Sequence, residues 1–306
     1  MDTNKELEML REVTNDPTLE IIGIDDTFDF ECQQCGKCCT HRGDIILNPF
    51  DVYRAAKYLG ITCTEFLRDY TTPDYGGQSK IPMVLLASDK KTGYCPLLKL
   101  DVKNGCKFKC LVHEAKPGAC WNHPIGIISQ GEVNEDGSID MTEKVTYVKV
   151  SQCDNSKGHN HPQLVRDWVK PSIDHAEEIK YAHMLQSYVE QHFSAKLFDF
   201  VMNIMAMPLP DDAPEVIKEA QSHVATIKES FFTMYIAAVY ANYDTDKPFI
   251  EQAKENIQAL DVALQGPADL LKKLVDHMPG EVRDAIKGLM HDEHCFDAYK
   301  EEKTND

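Results

Sequence analysis

Residues 30–39 read Phe30-Glu31-Cys32-Gln33-Gln34-Cys35-Gly36-Lys37-Cys38-Cys39, so four cysteines fall within eight positions. A C-x-x-C spacing lets two thiolates reach one metal while the backbone between them turns. Gly36 relieves the steric crowding at such a turn. The stretch therefore predicts a metal site, and we expect the fold around it to be a cysteine-rich metal-binding domain.

This spacing is compatible with two kinds of metal centre. C-x-x-C-x-x-C is the spacing of the first three cluster ligands in bacterial ferredoxins, where the fourth ligand comes from elsewhere. Two C-x-x-C pairs suit a four-thiolate zinc site equally well. The adjacent Cys38 and Cys39 are expected to point in different directions. At most one of them would then join the centre of Cys32 and Cys35, and the other would be available to a second centre.

The other cysteines continue the pattern along the first half of the chain. Ten of the eleven lie between Cys32 and Cys153, a clustering that favours metal binding over packing. Two four-ligand centres need about eight thiolates. The number of cysteines is therefore compatible with two metal centres, and equally with one centre and several thiols that bind no metal. The predicted metal ligands are Cys32, Cys35, Cys38, Cys39, Cys95, Cys110, Cys120 and Cys153.

Some cysteines are expected to have no part in ligation. Cys63 lies in a predicted helix and Cys295 lies alone near the C-terminus, so both are interpreted as small apolar packing residues. A redox dithiol of the thioredoxin type, without metal, is an alternative for the C-x-x-C pairs.

Several histidines follow the cysteines closely, and imidazole is a ligand for zinc and for iron. Each one alone is interpreted first as a surface residue and second as a ligand. The C-terminal H-x-x-H-C group is interpreted as a solvated helix end. The histidines beside the cysteines are His41, His113, His123, His159 and His161, and the C-terminal group is His291, His294 and Cys295.

The charge of the chain limits its partners. The 306 residues include 50 acidic and 32 basic side chains, for a net charge of −18. A surface of this sign repels a phosphate backbone, so nucleic acid and anionic membranes are not expected as partners, whereas a protein partner is possible. No transmembrane or export segment is evident, and we expect a cytoplasmic protein, whose compartment keeps thiols reduced.

The predicted fold class is α+β and mostly helical, with a cysteine-rich domain of short strands followed by an α-helical C-terminal region. The expected divisions are an N-terminal lead-in over 1–27, the metal-binding domain over 28–193 and the helical region over 194–306. Asn48 and Pro49 predict a helix start, and Gly60 predicts its end. A capping-box pattern at Thr62 predicts a second short helix.

Strands and further helices are predicted from apolar periodicity. The aromatic residues between Phe231 and Tyr243 are interpreted as helix core. The predicted strands are Ile81–Ser88, Gly93–Leu100 and a hairpin of Ile125–Ser129 with Ile139–Val150; the predicted helices are Pro162–Lys170, His175–Phe193, Ala195–Met207, Glu215–Tyr243, Lys247–Leu264, Pro267–Met278 and Glu281–Met290.

Phe30–Cys39 resembles the opening of the YkgJ-type cysteine-cluster family, described as a zinc- or iron-chelating domain. The resemblance continues in order over about residues 28–193, and by this comparison Cys106 lies outside the motif. The matching segments are Leu47–Leu59 with Asp51, Gly60-Ile61, Glu65-Phe66-Leu67, Cys95-Pro96-Leu97-Leu98, the ten-residue step from Cys110 to Cys120, and Val165-Arg166-Asp167-Trp168.

The resemblance implies metal or cluster binding more firmly than any reaction. Family members are often called iron–sulfur oxidoreductases, and a distant relative is a flagellin lysine N-methylase. The leading hypothesis is a protein that carries a 4Fe–4S cluster, with a redox or protein-modifying role. The alternatives are a structural zinc module that acts in protein interaction and a methylase-like, cluster-containing enzyme. The sequence contains no G-x-G-x-x-G, Walker or G-x-S-x-G motif, and no catalytic residue is assigned.

Overall fold

The computed structural model describes residues 11, 19–40, 42–75, 81–105, 107–133, 139–149, 160–192, 218, 224–260, 264 and 280. The chain divides into two compact units. The cysteine-rich unit comprises Met1–Ile61, Glu65–Thr72 and Leu85–Lys180, and the C-terminal unit comprises Thr62–Thr64, Pro73–Val84 and Tyr181–Asp306.

The described residues contain both short strands and helices, in agreement with the α+β class. The strands are β1 (Glu20–Ile22), β2 (Thr27–Asp29), β3 (Ile46–Leu47), β4 (Thr71–Tyr75), β5 (Pro82–Leu86), β6 (Leu98–Asp101), β7 (Lys107–Cys110), β8 (Ile125–Val133), β9 (Ile139–Lys149) and β10 (Pro162–Leu164). The helices are α1 (Pro49–Leu59), α2 (Cys63–Tyr70), α3 (Gly118–Asn122), α4 (Val165–Trp168), α5 (Lys170–Asp174), α6 (Ala176–His192), α7 (Val224–Ile236) and α8 (residues 249–260). Single 3₁₀ turns cover Lys37–Cys39, Val102–Asn104 and His113–Ala115.

The strands pair into small sheets, with the orders β1-β9-β8, β3-β5-β4, β10-β2 and β6-β7. β8 and β9 form the predicted antiparallel hairpin, in the register Ile125↔Lys149. β6 and β7 form a second antiparallel hairpin, in the register Leu98↔Cys110. The predicted strand Gly93–Leu100 is only partly correct. Tyr94 forms an isolated bridge with Thr40, and the regular strand begins at Leu98.

Helix α1 has the start and the end that its sequence predicts. The Asn48 side chain accepts a hydrogen bond from the backbone N–H of Asp51, and the Asp51 carboxylate accepts one from the N–H of Asn48. This reciprocal pair satisfies two N–H groups that a helix start otherwise leaves without partners. Gly60 ends the helix at φ 69°, a left-handed conformation that glycine adopts without steric cost. The predicted helix α2 also forms.

The predicted helix over Pro162–Lys170 is wrong at its beginning. Pro162–Leu164 is strand β10, antiparallel to β2, and the helix starts only at Val165. The pairing places Val165 in a buried cluster with Phe28 and Phe30, so tertiary contacts override the local helical periodicity. Trp168 packs edge-on against both phenylalanine rings, with centroids 5.6 and 5.4 Å apart.

The C-terminal unit contains the aromatic core that the helical spacing of its residues predicts. Phe231, Tyr235, Tyr240 and Tyr243 are all buried. Residues Ala237–Ala241 form one π-helical turn after α7. The predicted helices Ala195–Met207, Pro267–Met278 and Glu281–Met290 lie entirely outside the described residues. Within the described part of the chain, no helix combines the length and the apolar character that membrane crossing requires.

Candidate metal centre

Seven of the eight predicted cysteine ligands line one cavity in the cysteine-rich unit. The cavity has a volume of about 870 Å³. Its walls come from the 3₁₀ turn over Lys37–Cys39, the β6–β7 hairpin and helix α3. Cys32 is exposed and the other six are partly buried. The cysteines that line it are Cys32, Cys35, Cys38, Cys39, Cys95, Cys110 and Cys120.

Gly36 is the residue that allows the first cysteine cluster to turn. Its φ is +77°, and a Cβ placed there would lie 2.8 Å from Cδ2 of Phe108. The turn is closed by the N–H of Cys39, which donates to the Gly36 carbonyl at 2.9 Å. The N–H of Phe108 donates to the Gln34 carbonyl at 2.9 Å, which ties the turn to β7. The sequence predicts the need for glycine here, but it carries no signal for the contact with Phe108.

The expectation that Cys38 and Cys39 point apart is wrong. Their Sγ atoms lie 4.0 Å from each other, and both residues line the same cavity. The 3₁₀ turn brings neighbouring side chains closer than an extended strand would, because an extended strand sends them to opposite faces. Both thiols are therefore available to one centre.

The later cysteines reach the cavity through backbone hydrogen bonds. The N–H of Cys95 donates to the Cys39 carbonyl at 3.1 Å, and the Cys95 carbonyl accepts from the N–H of Leu98 at 3.0 Å. Cys110 lies opposite Leu98 in the β6–β7 ladder. Cys120 lies in α3, where its N–H donates to the Pro117 carbonyl at 2.9 Å. These contacts bring residues that are distant in sequence to the same wall.

Helix α1 holds the segment that precedes Cys120. The buried carboxylate of Asp51 accepts from the N–H of Gly118 at 2.8 Å. The Arg54 guanidinium donates to the Lys116 carbonyl. Sequence reasoning singled out Asp51 only as part of the family motif, and it missed Arg54. The capping box of α1 is the local signal that fixes the orientation of Asp51.

The electrostatic environment differs among the thiols. The hydrogen bond from Cys39, with nearby Lys116 and Arg42, lowers the pKa of Cys38 to about 6 against the opposing effect of burial. The same hydrogen bond and burial raise the pKa of Cys39. Burial raises the pKa of Cys95 to about 11 and, with the neighbouring thiols and Asp51, that of Cys120 to about 12. Most of these thiols must therefore lose a proton in order to bind a metal.

Two of the candidate histidines also line the cavity. His123 packs edge-on against Phe30, and its buried Nε2 has no hydrogen-bond partner within the described part of the chain. His113 is exposed, and partial desolvation lowers its pKa. His161 instead pairs with Glu31, with 3.3 Å between Nε2 and Oε2. His41, His159, His291 and His294 lie outside the described residues.

The donor chemistry fits a thiophilic metal or cluster, because thiolate ligands select zinc and iron–sulfur centres. Within the described ranges, however, no three His, Cys, Asp or Glu side chains converge closely enough to hold a metal ion. The thiols thus lie along the cavity walls and do not form a closed coordination shell. Cys153, Cys106 and Cys295 lie outside the described residues. Cys63 belongs to the C-terminal unit and is fully buried, as its interpretation as a packing residue requires.

Comparison with known protein families agrees with this donor set. Residues 31–153 match the family model described as "CxxCxxCC: Putative zinc- or iron-chelating domain". Over this region, which is less than half of the chain, the sequence is similar to that family. The match begins one residue before Cys32 and ends at Cys153, so the matched region includes all eight predicted ligands. No curated protein and no solved structure matches the chain.

Proposed function

We propose that the cysteine-rich unit binds a 4Fe–4S cluster on cysteines of the cavity and that the protein acts in the cytoplasm. The observation that carries this proposal is that seven cysteines, from four separate segments, line one cavity. An all-cysteine donor set with a C-x-x-C-x-x-C run is the usual ligation of such clusters. A cavity of about 870 Å³ is also much larger than a single metal ion needs.

A bound 4Fe–4S cluster supplies a one-electron redox couple, whose potential depends on nearby charge, hydrogen bonds and solvent exposure. The residues of this chain contribute in three ways. Four ligands come from the pool of seven thiols. Arg42 and Lys116 favour the thiolate form of Cys38. Leu97, which is buried, and Trp121 line the cavity and exclude water from part of its wall.

The test is anaerobic purification of the full chain, followed by a visible spectrum and assays of iron, acid-labile sulfide and zinc. We expect broad absorption near 400 nm, typical of brown iron–sulfur proteins, with about four irons and four sulfides per chain. Chemical reduction should bleach the absorption. A colourless protein with stoichiometric zinc and no labile sulfide would overturn the proposal.

A structural zinc site is the second candidate, and one distance favours it. Zinc–sulfur bonds of ~2.3 Å in a tetrahedral site put two sulfurs ~3.8 Å apart. The Sγ atoms of Cys38 and Cys39 are separated by 4.0 Å, close to that value. Under this alternative the metal stabilises the fold and no redox change occurs. Removal of zinc by a chelator would then lower the melting temperature of a colourless protein.

A further inference from the structure

The β6–β7 hairpin carries a concentration of positive charge in an otherwise acidic chain. Residues 90–116 contain seven lysines and only two acidic residues, although the whole chain has 50 acidic and 32 basic side chains. Of these seven lysines, Lys99, Lys109 and Lys116 line the cysteine-lined cavity.

The register of the hairpin places the lysines on one face. Alternate residues of a strand share a face, so Lys107 and Lys109 lie on the same side of β7. Lys99 of β6 lies directly opposite Lys109, and Asp101 lies opposite Lys107. All three lysines are exposed. The three lysines together are called the lysine face below.

Two like charges in directly opposed positions destabilise a hairpin, because their Cβ atoms are only about 5 Å apart. No ion pair relieves Lys99 or Lys109 among the residues that the structure describes. The opposite side of the hairpin is occupied, since Phe108 packs on Tyr94 with ring centroids 5.4 Å apart. The lysine face therefore lies on the side of the hairpin away from Tyr94, and its three lysines outnumber the one carboxylate on that face, Asp101.

We propose that the lysine face is a docking surface for an acidic segment of a partner protein, held beside the mouth of the cavity. Charge complementarity selects the partner, since three lysines against one aspartate on a hairpin of four-residue strands match a short run of carboxylates. Lys99 and Lys109 also line the cavity, so a docked segment lies next to the thiols.

An acidic protein segment fits this surface better than a nucleic acid does. Four-residue strands extend about 13 Å, which matches only a few charges of a partner. A long phosphate backbone would extend past the hairpin and meet the acidic remainder of a chain whose net charge is −18. A short acidic segment avoids that repulsion.

The test uses a fluorescein-labelled peptide of eight glutamates and the full chain with its native metal content. We expect binding by fluorescence anisotropy at low ionic strength, and weaker binding above 0.1 M salt, where the Debye length is about 10 Å. Lys99→Glu combined with Lys109→Glu should weaken binding about tenfold, since rim charges change affinity through electrostatic attraction. The neutral pair Lys99→Gln and Lys109→Gln should have a smaller effect in the same direction.

The matched control replaces two other exposed lysines, Lys180→Glu and Lys254→Glu, with the same change in net charge. Binding equal to that of the parent is expected for this control. Equal weakening in both double variants would overturn the proposal, because net charge alone would explain it. Tighter binding of a labelled sixteen-residue oligothymidylate than of the peptide would also overturn it. Metal content is assayed in each sample, so a failure of cluster binding is distinguished from a failure of docking.

Discussion

Asp51 connects two distant parts of the cysteine-rich unit through one carboxylate. Its Oδ2 accepts from the N–H of Asn48 at 3.2 Å, and its Oδ1 accepts from the N–H of Gly118 at 2.8 Å. Burial raises the pKa of this carboxyl above its usual range, while the two backbone donors act in the opposite direction. The residue thus serves as the cap of α1 and as the anchor of the loop before Cys120.

Replacing Asp51 by alanine should destabilise the fold, because it leaves two backbone N–H groups without acceptors. Each unsatisfied buried donor costs about 1–3 kcal/mol, so for the two donors we expect a loss of about 2–6 kcal/mol in the free energy of unfolding. Asp51→Asn keeps one acceptor oxygen, so its free energy of unfolding should fall by about half as much. Urea unfolding measures both values. As a control, Asp174→Ala removes only an exposed ion pair with Lys170 and should cost less than about 1 kcal/mol. Equal losses for Asp51→Ala and Asp174→Ala would contradict this role.

Cys120 and Cys63 provide a matched comparison between a predicted ligand and a packing residue. Cys120 lines the cavity, whereas Cys63 is buried in the C-terminal unit with its pKa raised to about 12 by desolvation. Cys120→Ser should reduce the metal content of the purified chain by at least about half, because a serine hydroxyl is a poor ligand for a thiophilic metal. Cys63→Ser should retain the metal. Metal analysis of both variants checks this, and full metal retention in Cys120→Ser would remove that residue from the ligand set.

At the scale of elements, the cysteine turn depends on glycine for two separate reasons. Gly36 has a positive φ, and it also lies against the Phe108 ring. Gly60 has a positive φ of 69°, but a Cβ added there would meet no atom within 4 Å. An alanine at Gly60 therefore measures the cost of the positive φ alone, without a clash against a neighbouring side chain. Gly60→Ala should therefore cost about 1 kcal/mol.

Gly36→Ala should cost more than Gly60→Ala, by about 1–3 kcal/mol, because the ring of Phe108 must move. It should also lower metal content, since the displaced turn carries Cys35 and Cys38. Thermal unfolding and metal analysis of the two variants test this difference. If both alanine variants lose the same stability and both keep their metal, the contact between Gly36 and Phe108 has no structural role.

The elements that the sequence predicts well are those with local signals. Asn48, Pro49 and Gly60 mark the limits of α1, and the turn-rich segment between β8 and β9 marks that hairpin. β10 could not be predicted, because Pro162–Leu164 becomes a strand only through pairing with β2, which lies more than a hundred residues earlier. Such long-range pairing leaves no local periodicity.

At the scale of the molecule, the composition of the site was predictable and its geometry was not. Spacing and the family resemblance identified the cysteines that line the cavity. They predicted the wrong relative direction of the Cys38 and Cys39 side chains, because cysteine spacing alone does not distinguish a 3₁₀ turn from an extended strand. They also gave no indication of Arg42 or Phe108, whose positions depend on tertiary packing.

Metal uptake by the whole metal-free chain should depend steeply on pH. Burial raises the pKa values of Cys95 and Cys120 to about 11 and 12, so both are protonated at neutral pH. Each must release its proton on ligation, and apparent affinity therefore rises with pH, by about tenfold per pH unit for each proton released. Competition with a chromophoric zinc indicator at pH 6.5, 7.5 and 8.5 measures the slope. An affinity that does not change over this range would contradict thiol ligation.

The hydrogen bond from the Gly118 N–H to Asp51 also provides a way to measure, in solution, how often the cavity wall opens. The Gly118 amide donates to a fully enclosed carboxylate, so its proton exchanges with solvent only when the loop before Cys120 detaches from α1. In an NMR spectrum, the exchange rate of this one amide therefore reports the opening of the metal-binding region. Comparison of its protection with and without metal would measure how far ligation closes that region.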